Sequence, residues 1–487
     1  MANELVHAFI DTHLNEHIRK VQELIQQPSV SLDGNGLREC ADLVRQRLIE
    51  LGCQETAMLD VGDDYPGVWG WLDAGAAKTI LYYSHYDVRP AGHEKWSSPP
   101  YAAALVEKPP FRCVVAGRGA LVAKGPLQAW LNALLSIRRV TGTLPVNIMF
   151  LIEGAEIIGS PNYLALVRAR EHELKRADAL FSPGASQNVR GQVSLALGYK
   201  GLIYLELEAL SDVWGRGPIG GPVHSATNAI VDSPAWRLAH ALATMTDRQG
   251  MRLTVSGLEE IFFERKELGI EERQMVQKLQ AEFAHGNWNA MIPGLDPSTP
   301  VKVFKNDLTG DKVLYEYLYA PSANISGLRS GYIGPGSKSF LLPHSAVATM
   351  DIRTITDLGA LEIVSKIREH LDREGFPDIR IHTHSAYDWA QTNPHADVVR
   401  ATVQTIEEYG YPAILWPMTA FGGPWAHIAR KLDIPFLRGA GLGYGGRAAT
   451  SDEFYVIEGN DTVPGLAQVE CFYVDLLFNY AHTDRGE

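Results

Sequence analysis

Two apolar runs constrain the fold of this chain more than any other feature. TILYYS (79–84) and VNIMFLIEG (146–154) show no polar alternation and are short for helices, so both read as buried strands. Between them lies PLQAWLNALLSIRRV (126–140), with proline at its start and apolar residues at helical spacing. Buried strands joined through a helix imply a largely parallel α/β sheet. Leu37, Ala41, Val44, Leu48 and Leu51 predict an earlier amphipathic helix that stops at Gly52.

The middle of the chain has a different rhythm. GLIYLELEAL (201–210) and HSAVATMDIRT (344–354) alternate like half-exposed strands, and helical patterns cover 233–246 and 357–375. This predicts a smaller α+β unit with helices on one face. After SAYDWAQTN (385–393) the α/β character returns and ends in a helix near 462–482. The expected division is therefore a catalytic domain in two parts, 1–198 and 385–487, with an inserted lid or dimerisation domain at 199–384. A chain of 487 residues has room for this.

Composition removes several classes of function. A net charge of −13, with no basic stripe, argues against nucleic acid as a partner. No run of about 20 apolar residues exists to span a membrane. Cys40, Cys53, Cys113 and Cys471 are scattered and form no CxxC pair. With no apolar leader at the N-terminus, they predict a reducing, cytoplasmic location.

Three short motifs fall at predicted strand ends, where open α/β sheets place their sites. They are SHYDVRP (84–90), GRGALVAKG (117–125) and EGAEIIGS (153–160). Their order resembles the two-zinc aminoacylase, carnosine-dipeptidase and glutamate-carboxypeptidase superfamily. NISGLRSGYIGPGSKSFLLP (324–343), MDIRTITD (350–357) and SDEFYVIEG (451–459) extend the likeness along nearly the whole chain. The resemblance implies a zinc-binding α/β domain with an inserted lid, a homodimer, and hydrolysis of an amide bond by a water held between two zinc ions.

The same resemblance implies five zinc ligands, and this chain keeps one of them, His85. Val122 stands where the bridging aspartate belongs, Ile157 where a carboxylate belongs, and Pro183 and Thr450 near the remaining two. Zinc sites take at least three protein ligands. The expectation is therefore no family-type metal centre and no cofactor.

Other positions match. Glu156 falls on the family's general base, and Asp87 on the residue that orients the histidine. Asn324, Arg353 and the glycine-rich 331–337 segment fall on substrate-binding positions, and Lys124 follows the glycine-rich turn. Arg353 suits a carboxylate, which it can meet through two parallel hydrogen bonds. Trp214 replaces the lid histidine, and His224, slightly further on in GGPVHSATN, could stand in for it if the loop is rebuilt. Tyr387, with Trp389 and Trp425, suggests an apolar or aromatic substrate group. A cleft refilled with valine and isoleucine is drier, which raises the proton affinity of a carboxyl inside it.

Each of these residues also has a plain structural reading. Glu156 could bond its own turn or Lys124, His85 could be a core histidine paired with Asp87, and Trp214 could be an interface aromatic. GYIGPGSKS (331–339) has one residue too many for a phosphate loop, and GLGYGG (441–446) lacks a dinucleotide context. Ser182, Thr450 and Ser451 show no oriented histidine partner.

The leading expectation is a metal-independent enzyme acting on an amide or amino-acid-derived small molecule, with Glu156 as general acid/base beside His85 and Asp87. Hydrolysis, cyclisation, acyl transfer and isomerisation all fit that chemistry. Two alternatives remain open: a non-catalytic binding protein, and a metal-dependent amidohydrolase whose site has moved toward His224 or Asp452.

Overall fold

Both apolar runs are strands in the computed structural model of this chain, which describes residues 2–62, 64–247, 252–263, 266–283, 288–295, 300–332, 334 and 340–483. Thr79–His85 and Asn147–Glu153 are buried at every position and pair in parallel. Burying side chains such as Ile148, Phe150 and Leu151 contributes roughly 1.5–3 kcal/mol each.

The chain divides into two units. The first comprises Met1–Leu197, Gln391–Trp416 and Ile428–Glu487. Its main sheet has eight strands. The four at its centre, Asn147–Glu153, Thr79–His85, Ala179–Ser182 and Phe436–Arg438, run in parallel. Their C-terminal ends therefore lie side by side along one edge. Helix Lys124–Thr141 packs on this sheet through Trp130, whose ring stacks on Tyr82 at 5.7 Å and meets Tyr473 edge-on at 5.4 Å. The early amphipathic pattern is helix Leu37–Leu51, closed by Gly52 in the left-handed conformation. A second, four-stranded sheet joins Phe111–Ala116 to Phe454–Glu458.

The second unit comprises Gly198–Ala390 and Pro417–His427. Its sheet is antiparallel, in the order Ser322–Ser330, Ser345–Thr354, Gly201–Leu210, Arg380–Tyr387. Residues in the two central strands alternate strictly between buried and half-buried. The buried set (Leu205, Leu207, Ala348, Met350) packs in one core with Leu238 of helix Pro234–Thr244 and Ile367 of helix Ala360–Arg373. In the glycine-rich 331–337 segment that was expected to bind substrate, positions 333 and 335–337 lie outside the described residues. Among the described residues no helix is long and apolar enough to cross a membrane.

Candidate functional site

The parallel edge of the first unit carries a cleft of about 210 Å³. The strand ends supply it with His85, Ser182 and Arg438, and the turn after Glu153 supplies Glu156. Leu121, Val122 and Ala123 form another wall, and Pro183 and Gly184 lie beside Ser182.

Asp87 organises the polar part. Its buried carboxylate accepts a hydrogen bond from His85 Nδ1 at 3.1 Å, from the Glu156 N–H at 3.1 Å and from the Ile157 N–H at 3.0 Å. One carboxylate thus fixes the imidazole and holds the turn that bears Glu156. His85 Nε2 then lies 3.6 Å from Glu156 Oε2, and an Arg438 Nη2 lies 3.6 Å from Glu156 Oε1. Burial works against a charged imidazole here, but Glu156 and then Asp87 overcome it and raise His85 to about 9. At neutral pH the cleft therefore holds two cations around one carboxylate.

Sequence reasoning expected Glu156 to be the lone desolvated acid. Instead Glu156 is paired on both sides, and the carboxyl that burial pushes up, to about 8, is Glu153. Glu153 accepts hydrogen bonds from Tyr83 and, at 2.7 Å, from Ser160.

The glycine-rich turn is also held by a carboxylate. Glu453 accepts the N–H groups of Gly119, Leu121 and Val122 at 3.1, 3.0 and 2.8 Å. Lys124, expected to bind substrate, instead points into the protein. Its ammonium donates to the Gln27 carbonyl, and the residue is not among those that line the cleft.

The remaining expected residues belong to the second unit. Arg353 and Asn324 meet at Asp351: Arg353 Nε lies 3.3 Å from Oδ2, and Asn324 Nδ2 lies 3.0 Å from Oδ1. A further Arg353 bond goes to the Ala420 carbonyl at 3.0 Å. Trp214 lies under the Arg237 guanidinium at 4.9 Å. His224 is exposed, and its Nδ1 caps a 3-10 turn by accepting the Ala226 N–H at 3.1 Å. Tyr387 is buried.

Arg438, Glu153 and Glu453 were not singled out from the sequence. Arg438 did leave a signal. IPFLRGAG (434–441) is a short apolar run ending in a charged residue and glycine, the same pattern as FLIEG.

A metal fits this cleft poorly. His85 and Glu156 are the only imidazole or carboxylate side chains among its lining residues, and Val122 and Pro183 stand beside them. Among the described residues no three His, Cys, Asp or Glu side chains converge in a way that could hold a cation. Asp452 is committed to the Ser97 N–H at 2.7 Å and hydroxyl at 2.9 Å.

Comparison with known proteins bears on this geometry. The family model described as Peptidase family M20/M25/M40 matches residues 81–469. The Cys-Gly metallodipeptidase of Saccharomyces cerevisiae is 24% identical over 394 residues, covering 76% of each chain. The human Beta-Ala-His dipeptidase is 25% identical over 76% of this chain and 71% of its own. Among solved structures, an M20 family metallo-carboxypeptidase from Sulfolobus solfataricus superposes with a TM-score of 0.79 and 26% identity, covering 96% of this chain and 99% of the other. Human carnosine dipeptidase 1 has the same fold, with a TM-score of 0.73 at 21% identity over 99% of this chain and 100% of its own.

Proposed function

The chain belongs to the peptidase family M20/M25/M40, a family of hydrolases, and from that premise we propose that it acts on an amide bond in a dipeptide or similar amino-acid-derived molecule without a resident metal. The names of its relatives, dipeptidases for Cys-Gly and Beta-Ala-His, support the substrate class. The observation that carries the metal-free reading is the donor set: one imidazole and one carboxylate, with the Arg438 guanidinium in the same cleft.

In this reading Glu156 takes a proton from water, and the hydroxide forms a bond to the amide carbon. Arg438 and the His85 imidazolium face the oxygen that becomes negative, as fixed donors do in other acyl-transfer sites. The C–N bond then breaks, and the amine leaves with the proton held by Glu156. Asp87 acts by position, since it holds both His85 and the Glu156 turn. Arg353 and Asn324 are proposed as carboxylate-binding groups of the second unit.

A homodimer is part of the proposal, supported by edge strand Ser322–Ser330, where Ile325 and Leu328 are exposed. So is a cytoplasmic location, supported by four free cysteines.

Assay of a dipeptide panel with chelator-treated protein, wild type against Glu156→Gln, tests the reading. Turnover that survives the chelator and is lost in the variant supports it. A second reading, a metal-dependent hydrolase with a displaced site, is favoured by the word metallodipeptidase in a relative's name. In that case the chelator abolishes turnover and zinc restores it.

A further inference from the structure

The second unit contains a cavity of about 360 Å³ that shares no lining residue with the His85 cleft. Lys200, at the head of strand Gly201–Leu210, is buried and lines it. Its Nζ donates to two carbonyls where helix Asp311–Tyr319 ends, Tyr317 O at 2.9 Å and Ala320 O at 2.6 Å. An ammonium has three protons, and these bonds use two.

Among the described lining residues, the other charged groups are Arg252, Lys305 and Glu316. Burial, and then Arg353, pull Lys200 down to about 7, while Glu316 acts in the opposite direction. Both acceptors of the buried ammonium are neutral carbonyls, and an anion in the cavity would stabilise its charged form. The rest of the wall is largely apolar, with Leu295, Phe304 and Val313 along it. The volume falls in the range of small-molecule sites, about 300–1,000 Å³.

We propose that this cavity binds a small carboxylate with an apolar body, in the class of an aromatic or aliphatic amino acid derivative, whose carboxylate meets Lys200 Nζ while its body lies along the apolar wall. Capping a helix end explains two of the lysine's bonds. It does not explain an open cavity beside an ammonium with a third proton to donate.

The test is isothermal titration of the full chain with 3-phenylpropionate and with its neutral amide, 3-phenylpropionamide. The expected result is saturable binding of the acid and none of the amide. Two variants locate the site. Leu308→Trp adds bulk to the cavity wall and keeps the lysine, and Lys200→Met removes the ammonium. Each is expected to weaken binding by about tenfold or more, the scale of a lost charge-assisted contact. Leu308→Trp decides the matter if Lys200→Met fails to fold. Glu156→Gln, in the other unit, is expected to leave the affinity unchanged. No binding of the acid at millimolar concentration, equal binding of acid and amide, or full affinity in Leu308→Trp would each overturn the proposal.

Discussion

Replacing Glu156 with glutamine is expected to lower the pKa of His85, by an amount the geometry constrains. The two groups lie 3.6 Å apart, and His85 is buried. Two unit charges at that distance interact by about 4–5 kcal/mol at an effective dielectric of about 20. The Glu156 side chain is 18% exposed, so water screens part of this. A loss of about 3 kcal/mol corresponds to a fall of roughly two pKa units.

The imidazole sits at about 9 in the intact cleft. In Glu156→Gln the buried position and Arg438 still disfavour the cation, with only Asp87 in support, so titration near or below 7 is expected. Histidine-selective ¹³C NMR reads this directly, with the resonance assigned by its loss in His85→Asn. An unchanged pKa would refute the charge arrangement described here.

Stability follows with a definite sign. The folded value lies above the ordinary 6.5, so the contribution of His85 is complete below pH 6.5 and is lost as pH rises toward 9. Urea midpoints of wild type should fall across that window, and those of Glu156→Gln should fall less.

Glu153 titrates in the same sense. Its folded value of about 8 lies above 4.5, so its contribution is full below pH 4.5 and is lost as pH rises to 8. Glu153→Gln should flatten the denaturation midpoint over that range, and an unchanged slope would count against a buried neutral acid. Asp87→Ala leaves an imidazole and two backbone N–H groups without their acceptor, and should cost about 3 kcal/mol or more in urea unfolding. Arg438→Met should lower kcat on any dipeptide the protein cleaves by about a hundredfold with little change in KM, as removal of an oxyanion donor does. An equal rate would remove Arg438 from the chemistry.

The fold was legible because burial imposes its own pattern. Strands covered on both faces must be apolar throughout, as in TILYYS, and half-covered strands must alternate, as in GLIYLELEAL. The cluster of His85, Asp87 and Glu156 was legible in part, because all three follow apolar runs whose ends adjoin in a parallel sheet.

Arg438 was harder to find. It lies more than 280 residues from Glu156 in sequence, and only the order of the sheet brings Phe436–Arg438 beside Ala179–Ser182. Lys124 shows the opposite limit. Its motif marks the turn, but the motif does not say which way the side chain points at the start of a helix, and here it turns toward the Gln27 carbonyl. The two-cation cleft was missed for the same reason. Desolvation can be guessed from valine and isoleucine, whereas the distance to an arginine on another strand cannot.

The most direct test of the proposal that the cleft works on its own side chains is the metal content of protein purified without chelator, measured by mass spectrometry on the same sample used for turnover. Substoichiometric zinc together with chelator-resistant activity is the predicted result. Stoichiometric zinc that survives dialysis, with activity that disappears when it is stripped and returns when it is restored, would contradict it.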